Sequence, residues 1–142
     1  MKISRYNPAT MALISDDITG VDFGNLILGN FCQSTVVIKP VAETEDLTLL
    51  GLYLEDRDGL DHTRFGLYKS QTGYTGILPG DSRLNTYLVE APGVSDYSQF
   101  SSSRISYNVD DPEYTWLNAK AGTNETVFGD SAINFRFVFE YN

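Results

Sequence analysis

The sequence predicts an all-β fold, an antiparallel β-sandwich of about seven to nine short strands. Three observations support this. Apolar and polar residues alternate with period two in several short segments, clusters of Gly, Pro, Asn and Asp separate those segments, and no window carries a sustained helical stripe. With 142 residues, of which 42% are hydrophobic and 13% aromatic, the chain is long enough to bury one core of its own.

The N-terminal segment is the one long stretch without periodicity or turn residues. Residues 1–17 are therefore predicted to form an N-terminal arm, and residues 18–142 to form the β-sandwich domain. The arm carries an apolar patch that includes Met11, Leu13 and Ile14. These side chains are candidates for docking on the domain or on a neighbouring subunit.

The first half of the domain contains three predicted strands. Residues 18–23 alternate between apolar and polar positions, and residues 35–38 form a β-branched run that ends before Pro40, which has no N–H to donate to a ladder. Residues 47–54 carry apolar side chains on both parities, which is typical of a strand covered on both faces. Residues 47–54 are therefore predicted to be a central strand.

The second half begins with a weaker strand over residues 62–68 and a loop over residues 71–80, which holds three glycines and a proline. Alternation over residues 83–90 predicts the next strand. Two further short strands are predicted around residues 105–109 and 114–117.

The last segment, residues 133–141, has the clearest pattern. Every odd position is large and apolar, and three of the four even positions are polar. Such alternation predicts a half-buried antiparallel strand. We expect Phe135, Phe137 and Phe139 to complete the core together with the leucines of residues 47–54.

Charge and cysteine content narrow the classes of function. Ten basic and nineteen acidic residues give a net charge of −9, which disfavours binding to nucleic acid or to an anionic membrane surface. Cys32 is the sole cysteine, so no intrachain disulfide forms. The start of the sequence lacks the apolar run of a secretory signal, and no segment has the length of a membrane span. We therefore expect the chain to be made in a reducing cytoplasm.

Two groups of residues have the chemistry of a metal or catalytic site. Asp56, Asp58 and Asp61 surround a glycine and offer hard oxygen ligands for calcium, although a solvated turn explains the same composition and is favoured. His62 and Cys32 are the only residues available for a Cys–His nucleophilic pair, and a buried free thiol is the favoured interpretation of Cys32. The sequence predicts no enzyme and no cofactor beyond this calcium alternative.

Aromatic side chains are the candidate contacts to partners. Tyr and Trp provide large contact areas with a polar tip. The candidates are Tyr68, Tyr74, Tyr87, Tyr97, Tyr107, Tyr114 and Trp116. Tyr74 lies in the glycine-rich loop and is expected to be exposed. Tyr97 lies in a second loop and is expected to face outward as well. They are candidates for binding a protein partner or a glycan.

Residues 21–29, followed by the β-branched run at 35–38 and by Leu47-Thr48-Leu49-Leu50, resemble the opening of immunoglobulin-like repeats of the Hydin and ASPM type. In those repeats a strand reaches Phe-Gly, as at Phe23-Gly24, a short loop holds a second glycine, and a β-rich strand follows. The sequence departs from the pattern after residue 38, where an Asn-rich turn is usual. The resemblance implies an Ig-like sandwich, and a jelly-roll-like sandwich fits the strand pattern as well.

The remaining loops, rich in Gly, Ser, Asn and Tyr, and the closing Phe-Val-Phe-Glu-Tyr-Asn are similar in style to small virion proteins of tailed bacteriophages. This resemblance implies a non-enzymatic structural or decoration component of the capsid, neck or tail. Its partners would be other virion proteins and further copies of itself, and its location would be the virion, assembled in the host cytoplasm. The alternative is a carbohydrate-binding or adhesin module that uses exposed aromatic loop residues.

Overall fold

The computed structural model describes residues 2–41, 47–54, 65–87, 104–106, 113–123 and 135–141. These described residues contain nine β-strands and no helix. The strands are β1 (Lys2–Tyr6), β2 (Leu13–Ser15), β3 (Val36–Val41), β4 (Leu47–Leu54), β5 (Phe65–Ser70), β6 (Thr86–Tyr87), β7 (Arg104–Ser106), β8 (Tyr114–Ala119) and β9 (Phe135–Tyr141).

These strands form two antiparallel sheets. The larger has six strands in the order β2-β1-β3-β8-β5-β6, and the smaller has three in the order β7-β4-β9. The predicted all-β, antiparallel, sandwich-like fold is thus confirmed. β4 lies at the centre of its sheet as predicted, and its register aligns Leu50 with Phe139 and Leu52 with Phe137.

The first seventeen residues differ from the predicted arm, because they supply two strands of the larger sheet. β1 pairs with β3 over five residues, from Lys2 opposite Val41 to Tyr6 opposite Val37. Ile3 is buried between its neighbours, and the Ser4 hydroxyl donates to the carbonyl of Asp16 at 3.2 Å. β1 escaped detection because five residues with one aliphatic side chain give too short a pattern.

A tight connection joins β1 to β2. The side-chain oxygen of Asn7 accepts hydrogen bonds from the N–H groups of Ala9 (2.8 Å) and Thr10 (3.2 Å). The backbone of Asn7 also pairs with Met11 and Ala12, and Met11 adopts a positive φ of 59°. We call residues 6–15 the N-terminal hairpin tip.

The strand predicted at residues 18–23 is absent, and this prediction is wrong. The backbone N–H of Ile18 reaches the carbonyl of Ile3 at 2.9 Å, but no ladder continues from that bond. The Asp22 carboxylate then accepts from the N–H of Gly24 at 2.7 Å, where a positive φ turns the chain. Alternation of apolar and polar residues was therefore not sufficient to predict a strand here.

The strand predicted at residues 83–90 is seen only as β6, with residues beyond Tyr87 outside the described ranges. Arg83 and Leu84 belong instead to a turn, because the N–H of Leu84 donates to the carbonyl of Asp81 at 3.0 Å. The loop predicted at residues 71–80 is confirmed, and it extends to residue 85.

The register gives the larger sheet two distinct faces, because directly paired residues share a face and successive residues alternate. One face, here the aromatic face, carries the row Tyr6–Val37–Trp116–Tyr68 across four strands. The opposite, aliphatic face carries the buried side chains Ile3, Val36, Ile38, Phe65, Leu67, Leu117 and Ala119. Both faces of this sheet are therefore covered near its centre.

The β5–β6 connection, residues 71–85, covers the aromatic face. Its Ile77 and Leu84 join Val37 and Trp116 in one buried cluster. Thr35 anchors the connection by donating its hydroxyl to the carbonyl of Ile77 at 2.9 Å. The Leu84 backbone lies directly on Gly66, where a Cβ atom would collide with the Leu84 carbonyl oxygen.

Candidate functional site

The N-terminal hairpin tip presents two of the three apolar side chains predicted there. Leu13 is 52% exposed and Ile14 is 55% exposed. Met11 instead packs inward against the cluster under the β5–β6 connection, and a Cβ at Gly73 would lie 3.2 Å from the Met11 Cε atom. Leu13 and Ile14 therefore remain candidates for contact with a partner, whereas Met11 has an internal role.

β2 is the outermost strand on its side of the sheet within the described residues. Arg5 pairs with Ser15 and Tyr6 with Leu13, so a bulge leaves Ile14 without a direct partner on β1. Residues 6–15 carry no charged side chain, although charged residues are a common protection of edge strands. An uncharged, half-exposed apolar surface therefore lies at this edge.

Tyr74 is 41% exposed, in line with the expectation from its glycine-rich loop. Its inner side packs on the aromatic face, with ring centroids 6.1 Å from Trp116 and 6.5 Å from Tyr68. Trp116 contacts both Tyr68 and Tyr114, and Tyr114 contacts Tyr6. These rings therefore pack against one another and do not form an open platform. Tyr97 lies outside the described residues.

The proposed calcium ligands Asp56, Asp58 and Asp61 also lie outside the described residues, as does His62. Within the described ranges, no three His, Cys, Asp or Glu side chains come close enough to hold a metal ion. The described ranges likewise contain no helix long and apolar enough to cross a membrane.

Cys32 is a buried thiol, as the favoured interpretation expected. Its Sγ–H donates to Asn118 Oδ1 at 3.6 Å, and its sulfur accepts from the N–H of Ala119 at 3.4 Å. Burial raises the pKa of the Cys32 thiol. Since the thiolate is the reactive form, this environment does not activate Cys32 as a nucleophile.

A cleft of about 530 Å³ lies between three segments near the β6 edge of the larger sheet. One wall is residues 29–31, which are joined to residues 119–121 by backbone hydrogen bonds, among them Gly29 N–H to the Ala121 carbonyl at 3.1 Å. The other wall is formed by residues 80–85. Asn118 of β8 and Tyr87 of β6 also line the cleft. We call this the β6 cleft.

Two half-exposed aromatic rings line the β6 cleft. Phe31 and Tyr87 are each 42% exposed. Gly80, at a φ of 81°, packs so closely against Phe31 that a Cβ atom would lie 3.1 Å from the ring. The Lys120 ammonium lies 5.1 Å from the centroid of Phe31. The ring is thus held in position while part of its surface remains accessible.

The polar groups of the cleft are held by defined contacts. Asn118 is 4% exposed, and its Oδ1 accepts from the Cys32 thiol, which orients the side-chain amide. Asp81 accepts two bonds from the Arg83 guanidinium, at 3.0 and 2.8 Å, and one from the Arg83 N–H. These bonds hold the pKa of Asp81 at about 2, so it is ionised at neutral pH.

The sequence did not point to this cleft. Phe31, Tyr87, Asn118 and Lys120 come from three separate stretches, and only the register of β8 with β5 and the bridge from Phe31 to Lys120 bring them together. Tyr87 belonged to the candidate rings, but nothing linked it to Phe31. Periodicity cannot supply that information, because it describes each strand separately.

Comparison of the chain with protein-family models, with curated proteins and with solved structures gave no significant match.

Proposed function

We propose that this protein is a non-enzymatic structural subunit that assembles with further copies of itself through the N-terminal hairpin tip. The observation that carries the proposal is the uncharged edge at β2, where Leu13 and Ile14 are more than half exposed. Apolar side chains gathered at an edge gain free energy when a partner removes them from water.

Charge restricts the orientation in which a second copy can reach this surface. Two copies, each with a net charge of −9, repel each other over most orientations. Residues 6–15 carry no charge, so an approach through the hairpin tip brings like charges together only at its margin, where the exposed Asp16 and Asp17 follow β2. A twofold arrangement would place the same patch on both sides of the contact.

The contact is expected to depend on side chains more than on an extended backbone ladder. β2 has three residues, and its bulge interrupts the regular ladder at Ile14. Short length and bulges are features that limit β-addition at an edge. Leu13 and Ile14 would therefore supply most of the binding free energy.

The assembly we propose is a tailed-bacteriophage particle, with other virion proteins as additional partners. The support for this part is the resemblance of the loops and the closing segment to small virion proteins, together with an all-β fold and a buried, unactivated thiol. Immunogold labelling with antibodies to the chain should mark particles purified from the virus that encodes it. Unlabelled particles would contradict the virion location.

The oligomeric state tests the assembly surface. We expect the unmodified chain to sediment as an oligomer at concentrations of tens of micromolar, and Ile14→Lys to sediment as a monomer, because the substitution places a charge in the apolar contact. Ile27→Lys is the matched control, since Ile27 is 63% exposed and lies outside the hairpin tip. It should leave the oligomer intact.

Two results would contradict the proposal. One is a monomeric unmodified chain throughout the concentration range. The other is an oligomer that Ile14→Lys leaves unchanged, which would place the contact elsewhere.

A further inference from the structure

We propose that the β6 cleft binds a short segment of a neutral oligosaccharide, with Phe31 and Tyr87 as stacking surfaces. Asn118, Asn85 and Ser82 would hydrogen-bond to sugar hydroxyls. This inference does not depend on the assembly proposed above, because it concerns a different part of the molecule.

The dimensions of the cleft fit a ligand of this kind. Its volume of about 530 Å³ lies within the range common for small-molecule sites. Both rings are 42% exposed, so the cleft opens to solvent along its aromatic surface. An open site suits a few consecutive units of a longer chain better than a fully enclosed ligand.

Aromatic rings match the C–H face of a sugar, and side-chain amides match its hydroxyl groups. The C–H groups on one face of a pyranose ring are weakly polar donors that pack on the electron-rich face of an aromatic ring. Phe31 packs against Gly80, and the Lys120 ammonium lies 5.1 Å from its centroid, so contacts within the protein position the ring. An ordered contact surface lowers the entropy lost on binding.

The amides suit hydroxyl groups, because a side-chain amide both donates and accepts hydrogen bonds and so does a hydroxyl. The Asn118 carbonyl oxygen is occupied by the Cys32 thiol, which leaves its NH₂ group as the donor available to the cleft. Asn85 and Ser82 also line the cleft and are exposed. The three residues provide donors and acceptors without net charge.

Charge excludes the main competing ligands. Among the described lining residues the charged groups are Asp81, which is engaged by Arg83, and Lys120, which lies over Phe31. Arg83 neutralises Asp81, so Lys120 is the remaining charge among the described lining residues, while the whole chain has a net charge of −9. A phosphorylated or uronate-rich ligand would meet repulsion without a compensating cluster of basic residues. A neutral glycan meets none.

The test is an array of neutral oligosaccharides (glucans, mannans, galactans and chitin oligomers) printed beside sialylated and uronate-containing glycans. We expect binding to one class of neutral glycan. Calorimetric titration with that glycan should then show affinities weaker by about tenfold or more for Phe31→Ala and for Tyr87→Ala. Tyr74→Ala is the matched control, since Tyr74 is 41% exposed but outside the cleft, and it should bind as the unmodified chain does.

Circular dichroism and a thermal melt establish that each variant is folded, and Asn85→Ala replaces any ring variant that is not. Binding to no neutral glycan on the array would overturn the proposal. Binding restricted to acidic glycans would also overturn it, as would full binding by folded Phe31→Ala and Tyr87→Ala variants.

Discussion

Gly66 is the residue at which a single methyl group should matter most. It is the second residue of β5, and the backbone of Leu84 occupies the space that a Cβ atom would need. We expect Gly66→Ala to lower the free energy of unfolding by about 1–3 kcal/mol, because the β5–β6 connection must move away from the sheet. Chemical denaturation measures the change.

Gly20→Ala is the control for this substitution. Nothing lies within 4 Å of a Cβ at Gly20, and its φ is not positive. Its free energy of unfolding should therefore stay within about 0.5 kcal/mol of the original. Equal destabilisation by both substitutions would mean that loss of glycine, and not the contact with Leu84, is the cause.

The Asp81–Arg83 pair predicts a measurable titration. Its hydrogen bonds lower the pKa of Asp81 from 3.8 to about 2, so the pair favours the folded loop above pH 3.8, and this contribution disappears as the pH falls through about 2. A carboxyl-detected NMR titration should give a midpoint near 2 for Asp81. In Arg83→Gln the midpoint should move up towards 3.8, and an unchanged midpoint would contradict the role of Arg83.

Sequence patterns predicted some residue properties and missed others. Exposure of Tyr74 followed from its glycine-rich loop, and burial of Cys32 followed from the ordinary behaviour of a free thiol. The pairing of Phe31 with Lys120 did not follow from either segment, because it depends on contacts across about 90 residues of chain. Such contacts are set by the sheet order, which local patterns do not contain.

Among the elements, β1 shows how far a segment's role can differ from its pattern. It contributes five paired residues to β3 and buries Ile3, whose burial alone is worth about 1.5–3 kcal/mol. We expect deletion of residues 1–15 to destabilise the fold by more than about 3 kcal/mol, as measured by thermal and chemical unfolding. Ile14→Lys should have a free energy of unfolding close to that of the original chain.

An unchanged melt after this deletion would show that the segment is a dispensable arm. Because the deletion is expected to destabilise the fold itself, it is unsuitable for testing assembly, and point substitutions at the hairpin tip are preferable. A loss of oligomer in a partly unfolded chain would say nothing about the contact surface.

Strand prediction succeeded for β4, where apolar residues run on both parities, and for β9, where alternation extends over nine residues. β4 was predicted with its observed bounds, and β9 and β8 with shifted ends. Residues 18–23 alternate equally well but have no neighbouring strand to complete a ladder, so alternation alone was misleading. A strand is defined by its partner as much as by its own side chains.

At the scale of the molecule, the two proposed surfaces lie at opposite edges of one sheet. The hairpin tip is at the β2 edge and the β6 cleft adjoins the β6 edge, five strand spacings away, or roughly 24 Å. Copies joined at β2 would leave their clefts unobstructed. Ile14→Lys should consequently lose the oligomer and keep glycan binding, so the two proposals can fail independently.

The position of β8 has a consequence for how the chain is made. β8 joins β3 to β5, yet about 70 residues separate the end of β3 from the start of β8. At typical rates of translation these take roughly 4–14 s to emerge. During that interval the ribosome carries a nascent β1–β2–β3 unit in which the Val36–Ile38 edge of β3 has not yet paired with β8. Several ribosomes on one messenger RNA would bring such unpaired edges close together.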